Sequence, residues 1–191
     1  MQITDNFLSK VQYKQLFTYF TSEEPVWRFM TNVTYGMHRE ERTTDSWGFA
    51  CNIFDTGVAS PMKDRGGIWD RVAYKLAEPL IIDREKLVRI RAGMIVNAGP
   101  DAPHTPHIDQ PQHPHYTQLY YLTASDGPTN VFEEYGPDPK YKDYKPEDFT
   151  LKFQSKPEPN RMFLFDGYYY HSSSHVHGNE VRIALTLNYA K

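Results

Sequence analysis

Several features that would place this protein in a class are scarce or absent. The 191 residues include a single cysteine, Cys51, which excludes an internal disulfide and a multi-cysteine zinc site. No apolar run approaches the roughly 18 residues of a membrane span, and the N-terminus lacks the charged segment and apolar stretch of a secretory signal. The net charge of −3, from 21 Lys and Arg against 24 Asp and Glu, gives no reason to expect a polyanionic partner. The sequence therefore predicts a cytoplasmic protein with no membrane contact and disfavours nucleic acid as a partner.

Aromatic residues, by contrast, are abundant, at 15% of the chain. They indicate a packed core rather than disorder, and the length fits one domain over residues 1–191. We predict supporting helices and strands over the N-terminal residues 1–80. Ser9 and Gln12 fit a capping box at the start of the first helix, and apolar residues at helical spacing predict a second helix over 67–77.

After Pro79 the hydrophobic period changes from helical to alternating, which is typical of strands. The strand candidates of the whole chain are 26–34, 46–55, 87–97, 117–124, 129–133, 149–154, 161–166 and 180–190. In the last of them one face is apolar, and the other carries Arg182 among small and polar residues. Short strands separated by turns predict a sandwich or barrel with its core over 87–190, in which this polar face lines a ligand pocket.

Seven of the eight histidines lie between His104 and His177, which points to a site in the second half of the chain. His107 and Asp109 are two residues apart, and in an extended segment such side chains point the same way and can reach one cation. A third ligand must come from a distant strand, and His171, 62 residues after Asp109, precedes the last strand. Two histidines and one carboxylate form the facial triad of non-haem Fe(II) oxygenases.

The remaining histidines leave alternatives open. His175 and His177 are also candidates for the distal ligand, but they fall in Ser172–Glu180, which is predicted to be the hairpin turn into the last strand. Three more lie in a Pro-rich segment that predicts a rigid loop beside the site: His104, His113 and His115. The sequence assigns no individual role to these five histidines.

Arg182 lies eleven residues after His171, on the polar face of the last strand. A cofactor that chelates iron through a 2-oxo acid end needs a fixed cation for its far carboxylate, and a planar, permanently charged guanidinium supplies one. With this arginine the sequence resembles the Fe(II)/2-oxoglutarate-dependent dioxygenases, in particular the prolyl 4-hydroxylase-like group. The stretches that carry the resemblance are HIDQPQHPHYTQLYYLTASDGPTNVFEE (107–134) and RMFLFDGYYYHSSSHVHGNEVRIALTLNYA (161–190).

The resemblance implies a mainly β chain with supporting N-terminal helices, folded as a double-stranded β-helix of the jelly-roll or cupin-like kind. The implied cofactors are Fe(II) and 2-oxoglutarate, with ascorbate as a further candidate. The residues that the resemblance assigns are the iron ligands His107, Asp109 and His171, Arg182 for the far carboxylate of 2-oxoglutarate, and Tyr121 and Asn97 beside the cofactor.

The implied function is a dioxygenase that hydroxylates a peptidyl proline or a small molecule and releases succinate and carbon dioxide. Arg182 stands where many collagen-type prolyl hydroxylases have lysine, which weakens the case for proline as the substrate. The same ligands would also suit a zinc-dependent hydrolase, although that reading leaves Arg182 and Tyr121 without a role. A non-catalytic β-sandwich binding module is the third alternative and would depend on neither iron nor 2-oxoglutarate. The oligomeric state is not predicted.

Overall fold

Residues 1–31, 33, 46–57, 67–97, 104–177 and 181–191 are described by the structure, a computed structural model. These residues form mostly antiparallel strands, with two short helices in the N-terminal half. The elements in chain order are β1 (Gln2–Thr4), α1 (Lys10–Phe20), β2 (Arg28–Met30), β3 (Gly48–Asp55), β4 (Gly67–Ile68), α2 (Arg71–Ala77), β5 (Leu87–Val96), β6 (His115–Tyr121), β7 (Thr129–Tyr135), β8 (Leu151–Ser155), β9 (Arg161–Asp166), β10 (Tyr169–Ser173) and β11 (Val181–Ala190). The predicted mainly β class is confirmed.

Two antiparallel sheets face each other. The large sheet has the strand order β1-β9-β6-β11-β5-β3-β2, with β4 paired to β3, and the small sheet has the order β10-β7-β8. His107 forms an isolated antiparallel bridge with His171, so the segment before β6 lies along the β10 edge of the small sheet. A core cluster joins the sheets and contains Leu119, Tyr121, Phe163, Phe165 and Ala184 from the large sheet and Val131 from the small one. This arrangement is the double-stranded β-helix that the resemblance implies.

Strand β11 separates this core from a second one on the outer face of the large sheet. Its outer side chains pack with buried residues of α1 and α2, because alternate residues of a strand point to opposite faces. The members of this second core that β11 contributes are Ile183, Leu185, Leu187 and Tyr189. The predicted division of the last strand into an apolar face and a polar pocket face is therefore confirmed.

The first helix begins where the sequence predicts. The Gln12 backbone N–H donates to Ser9 Oγ at 3.3 Å, and the Ser9 backbone N–H donates to Gln12 Oε1 at 3.2 Å, which completes the capping box. The second helix is shorter than the predicted 67–77. It begins at Arg71, because Gly67–Ile68 pairs with β3 and the Asp70 carboxylate caps the helix by accepting from the Ala73 N–H at 2.9 Å.

The predicted hairpin over Ser172–Glu180 is wrong. Tyr169–Ser173 forms β10, which pairs with β7 in the small sheet, whereas β11 lies in the large sheet between β6 and β5. The chain therefore crosses between the sheets after β10, and residues 178–180 lie outside the described part. The N-terminal residues also do more than support the barrel, since β1, β2 and β3 extend the large sheet at its two ends. None of the helices in the described ranges has the length and apolar character needed to cross a membrane.

Candidate metal and cofactor site

His107 and His171 are brought together by backbone pairing. Each donates its backbone N–H to the carbonyl oxygen of the other, at 2.9 and 3.0 Å, and their rings lie 4.7 Å apart between centroids. Asp109, two residues after His107, reaches the same point from the same extended segment. The three side chains can each offer one ligand atom, and these atoms lie within 4.8 Å of one another. Residues separated by 62 positions in sequence thus form one cluster, as the spacing predicts.

Hydrogen bonds orient both imidazole rings toward the centre of the cluster. Nδ1 of His107 lies 3.2 Å from the Thr105 carbonyl oxygen, and Nδ1 of His171 lies 3.1 Å from the Tyr169 carbonyl oxygen. Because a carbonyl only accepts, each Nδ1 is the donor in these contacts, and each Nε2 is the ring nitrogen that lies toward Asp109. These Nε2 atoms lie 3.9 and 3.7 Å from the two carboxylate oxygens of Asp109. Two imidazoles and one carboxylate are the donor set of a non-haem Fe(II) site.

The Asp109 carboxylate is held by three further side chains. Arg89 forms an ion pair with Oδ1 at 3.0 Å, Asn188 donates to Oδ2 at 3.0 Å, and Thr117 Oγ1 lies 3.5 Å from Oδ2. Burial would raise the pKa of this carboxyl. The positive charge of Arg89 is the largest opposing influence, and with the other groups around the carboxylate it outweighs burial and holds the pKa well below its ordinary value. Asp109 is therefore an anion, the state in which a carboxylate binds a metal.

Arg182 is buried and held entirely by uncharged groups. Its guanidinium donates to the Gly127 carbonyl at 3.1 Å and to Thr129 Oγ1 at 2.6 Å, and it lies over the Tyr121 ring at 5.5 Å from the centroid. Burial lowers the pKa of this guanidinium, and among the described residues no carboxylate forms an ion pair with it. A buried cation without a counter-charge is costly, and this one is therefore suited to an anionic ligand.

A cavity of about 380 Å³ connects the histidine–aspartate cluster to Arg182. Its walls include the polar face of β11, from which Arg182, Ala184 and Thr186 project beside the cluster. Pockets of this size are typical of small-molecule and cofactor sites. The arrangement can hold a metal at one place and an anion at another within the same enclosure.

The two remaining predicted cofactor residues are placed differently from each other. Tyr121 is fully buried in the core between the sheets, and its hydroxyl donates to Thr129 Oγ1 at 2.8 Å, the same atom that accepts from Arg182. Asn97 is exposed at the end of β5 and is not among the residues that line the cavity. A contact between Asn97 and the cofactor stays a prediction.

The other histidines of the second half divide into buried and exposed ones. His104 and His175 are buried against each other, with ring centroids 4.3 Å apart, and lie outside the group that could hold a metal. His115 is also buried, with Nδ1 3.0 Å from the His113 carbonyl oxygen. The exposed ones are His113 and His177.

Sequence reasoning missed the arginines of β5. Arg89 and Arg91 both line the cavity, and Arg89 pairs with Asp109. The signal was present in Leu87–Val96, where arginines at alternate positions interrupt an otherwise apolar strand and so must share one face. Asn188, the partner of both Arg89 and Asp109, lies on the polar face of β11 with Arg182.

No protein-family model matches the sequence, and no curated protein matches it. Solved structures do. The non-heme alpha ketoglutarate-dependent epimerase SnoN from nogalamycin biosynthesis is 14% identical over 99% of this chain and 77% of that chain, with a TM-score of 0.58. A second SnoN structure contains Fe3+, alpha ketoglutarate and nogalamycin RO.

Two prolyl hydroxylases are similar to the same extent. The enzyme from Trichoplax adhaerens, in complex with a hypoxia inducible factor peptide fragment, is 14% identical over 99% of this chain and 82% of that chain, with a TM-score of 0.54. The Pseudomonas putida prolyl-4-hydroxylase is 14% identical over 100% of this chain and 92% of that chain, with a TM-score of 0.54. This chain has the double-stranded β-helix fold of the 2-oxoglutarate/Fe(II) oxygenases.

Proposed function

We propose that the protein is an Fe(II)- and 2-oxoglutarate-dependent dioxygenase that hydroxylates a peptidyl or small-molecule substrate. The observation that carries this proposal is the pairing, in one cavity, of the His107–Asp109–His171 cluster with the buried guanidinium of Arg182. A zinc hydrolase would need the cluster alone. A ligand with a metal-chelating end and a distant anionic end would use both the cluster and the Arg182 guanidinium.

Each residue has a distinct task in this reaction. His107, Asp109 and His171 would hold Fe(II), which together with 2-oxoglutarate and dioxygen supplies the oxidising chemistry and releases succinate and carbon dioxide. Arg182 would bind the far carboxylate of 2-oxoglutarate through its guanidinium. Tyr121 would fix Thr129, because its hydroxyl donates to the oxygen that also accepts from Arg182.

Arg89 and Asn188 would keep the Asp109 carboxylate ionised and oriented toward the metal. Both contact the carboxylate, and Arg89 Nε also donates to Asn188 Oδ1 at 3.0 Å, which links the two partners. Such outer contacts orient metal ligands. Use of ascorbate and a cytoplasmic location stay predictions from the sequence.

The similar structures include one with a peptide fragment and one with nogalamycin RO, so they support both substrate types and do not choose between them. Fold alone does not specify the substrate. The departure from lysine at Arg182 still weakens the case for proline.

The test is an anaerobic titration of metal-free protein with Fe(II) and 2-oxoglutarate, followed through the visible charge-transfer band of the chelate. We expect a saturable band that is lost in His107→Ala, because the cluster then lacks one of its three ligands. His113→Ala is the matched control, since it removes an exposed histidine outside the cluster. Admission of oxygen should then give succinate in the wild-type protein and in this control.

Absence of the band at saturating 2-oxoglutarate, with the protein folded, would overturn the cofactor assignment. Zinc-dependent hydrolysis would then be measured on the same protein, because His107, Asp109 and His171 also suit zinc. If neither metal supports turnover, the binding-module alternative remains.

A further inference from the structure

A second arginine of the cavity wall has no task in the proposed reaction. Arg91 lies on β5, two residues after Arg89, and both line the cavity. Arg89 is already paired with Asp109 at 3.0 Å. Arg91, by contrast, forms no ion pair with a carboxylate among the described residues, and its guanidinium donates to the Met30 sulfur at 2.8 Å.

The surroundings of Arg91 disfavour its charge. Burial, and after it the positive charge of Arg89, lower the pKa of the Arg91 guanidinium to about 10, with only a partial opposing effect from Asp109. A sulfur atom is a weak acceptor and carries no formal charge. The Arg91 guanidinium therefore still has N–H donors that could form two parallel hydrogen bonds with a planar anion such as a carboxylate.

Arg91 and Arg182 lie at different positions along the wall of the cavity that β5 and β11 form. Arg91 lies opposite Thr186 of β11, four residues and about 13 Å along the strand from Arg182. The Arg91 guanidinium extends toward Met30 on β2, whereas the Arg182 guanidinium binds Thr129 at the start of β7. One small dianion held by the metal and Arg182 thus leaves Arg91 free for a different anion.

There is open space beside Arg91 for such a ligand. Gly93, the next residue on the same face of β5, lines the cavity, and a Cβ built on it would meet no heavy atom within 4 Å. Its neighbour across the sheet is Ala184, another small residue. A larger side chain at either position would occupy the part of the cavity that lies between Arg91 and Arg182.

We propose that Arg91 binds the carboxylate of the substrate, and that the substrate is a small carboxylic acid that enters the cavity beside 2-oxoglutarate. This inference rests on the proposed function and names its substrate class. An acidic side chain of a peptide offers the same chemistry from a different source. The small acid is favoured because Arg91 lines the same cavity of about 380 Å³ that must also hold 2-oxoglutarate, which leaves little room for a large substrate.

The test is calorimetric titration of the anaerobic protein loaded with Fe(II) and 2-oxoglutarate. The probes are propionate, benzoate and N-acetyl-L-alanine, each compared with its amide, and the peptide N-acetyl-Ala-Glu-Ala-amide compared with its Gln counterpart. We expect at least one small acid to bind roughly tenfold or more tightly than its amide, the effect of a charge-assisted hydrogen bond.

This preference for the acid should disappear in Arg91→Gln and be partly kept in Arg91→Lys, which retains the charge but not the planar fork. Arg84→Gln is the matched control, because it removes an exposed guanidinium that pairs with Glu78 at 3.2 Å, far in sequence from the cluster. The comparison of acid with amide in the wild-type protein needs no variant, so misfolding of Arg91→Gln would still leave a decisive result.

Three outcomes would overturn the inference. Equal binding of all small acids and their amides means that no carboxylate is recognised, and a preference confined to the peptide pair means that the small-acid source is wrong. A roughly tenfold loss of 2-oxoglutarate affinity in Arg91→Gln, seen in the charge-transfer band, would assign Arg91 to the cofactor instead. Failure of the band in the wild-type protein is a separate result and overturns the proposed function.

Discussion

Arg182 illustrates how a single side chain can be prepared for a ligand. Its guanidinium is fixed by the Gly127 carbonyl and Thr129 Oγ1, and it is only 4% exposed. Neutral acceptors hold its geometry without neutralising its charge, so the electrostatic attraction remains available to an incoming carboxylate. The cost of burying the charge is borne by the folded protein before any ligand arrives.

Arg182→Ala should raise the 2-oxoglutarate concentration needed for half-saturation about ten- to hundredfold, because a charge-assisted hydrogen bond contributes about 1.5–3 kcal/mol. Fe(II) affinity should change little, since the hydrogen bonds of Arg182 go to none of the three cluster residues. The charge-transfer titration measures the first, and metal binding without 2-oxoglutarate measures the second. Normal half-saturation in this variant would show that Arg182 does not bind the cofactor.

The sequence predicts the cluster residues but not the partners of Asp109. His107 and Asp109 could be found because a spacing of two is a local property of an extended segment. Arg89 and Asn188 contact Asp109 only because β5 and β11 pair in a register that places these two residues opposite each other. Register depends on pairing between distant segments and cannot be read from either strand alone.

At the scale of the strand, β5 carries two arginines, Arg89 and Arg91, followed on the same face by Gly93, which has no side chain. Gly93 lies opposite Ala184 on β11 and Ala50 on β3, so three small residues adjoin one another across the sheet. A glycine inside a strand weakens it and gives no side chain to pack. Because Gly93 lines the cavity and has no side chain, the cavity stays open at this point of the strand.

Gly93→Val should keep the fold, because the added side chain meets open space and valine favours strands by up to about 1 kcal/mol. It should raise the 2-oxoglutarate concentration for half-saturation at least roughly tenfold by occupying the floor of the cavity, and Gly93→Ala should have a smaller effect. Thermal unfolding and the charge-transfer titration measure the two properties. Unchanged 2-oxoglutarate binding in a folded Gly93→Val protein would contradict this account of the cavity.

Long strands with clear alternation were predicted to within a residue, whereas the short strands β1, β4 and β10 were not predicted. Val181–Ala190 and Arg161–Asp166 lie within a residue of their predicted bounds. Tyr169–Ser173 was missed because it has no alternating apolar pattern, and its pairing with β7 replaces the local hairpin that the sequence suggests. The consequence is functional, since that pairing places His171 at the small-sheet edge where His107 joins it.

Over the whole molecule, a buried histidine links the two sheets. His104 Nε2 lies 2.9 Å from Ser46 Oγ, just before β3 of the large sheet, and His104 Nδ1 lies 2.6 Å from Ser173 Oγ at the end of β10. Its backbone N–H also donates to the Ser173 carbonyl at 2.9 Å. The ring is completely buried, so it connects the sheets on the inside of the molecule, three residues before His107 of the cluster.

This link should make stability depend on pH. Burial, followed by the neighbouring His175, Arg182 and His107, lowers the pKa of His104 to about 3, whereas an unfolded histidine titrates near 6.5. Between these values the unfolded chain binds a proton that the native protein does not. The free energy of unfolding therefore falls as the pH decreases below about 6.5, by about 1.4 kcal/mol per pH unit from this group.

His104→Gln should remove this contribution. Lowering the pH from about 7.5 to about 5 should cost the wild-type protein about 2 kcal/mol more than the variant, although the variant is less stable at both pH values because its contacts with Ser46 and Ser173 are altered. Urea unfolding of the metal-free proteins at the two pH values measures the difference. His113→Gln, at an exposed position, should lose as much stability as the wild type. An equal loss in His104→Gln and in the wild type would mean that His104 accepts a proton without unfolding, and that the link between the sheets does not require a neutral ring.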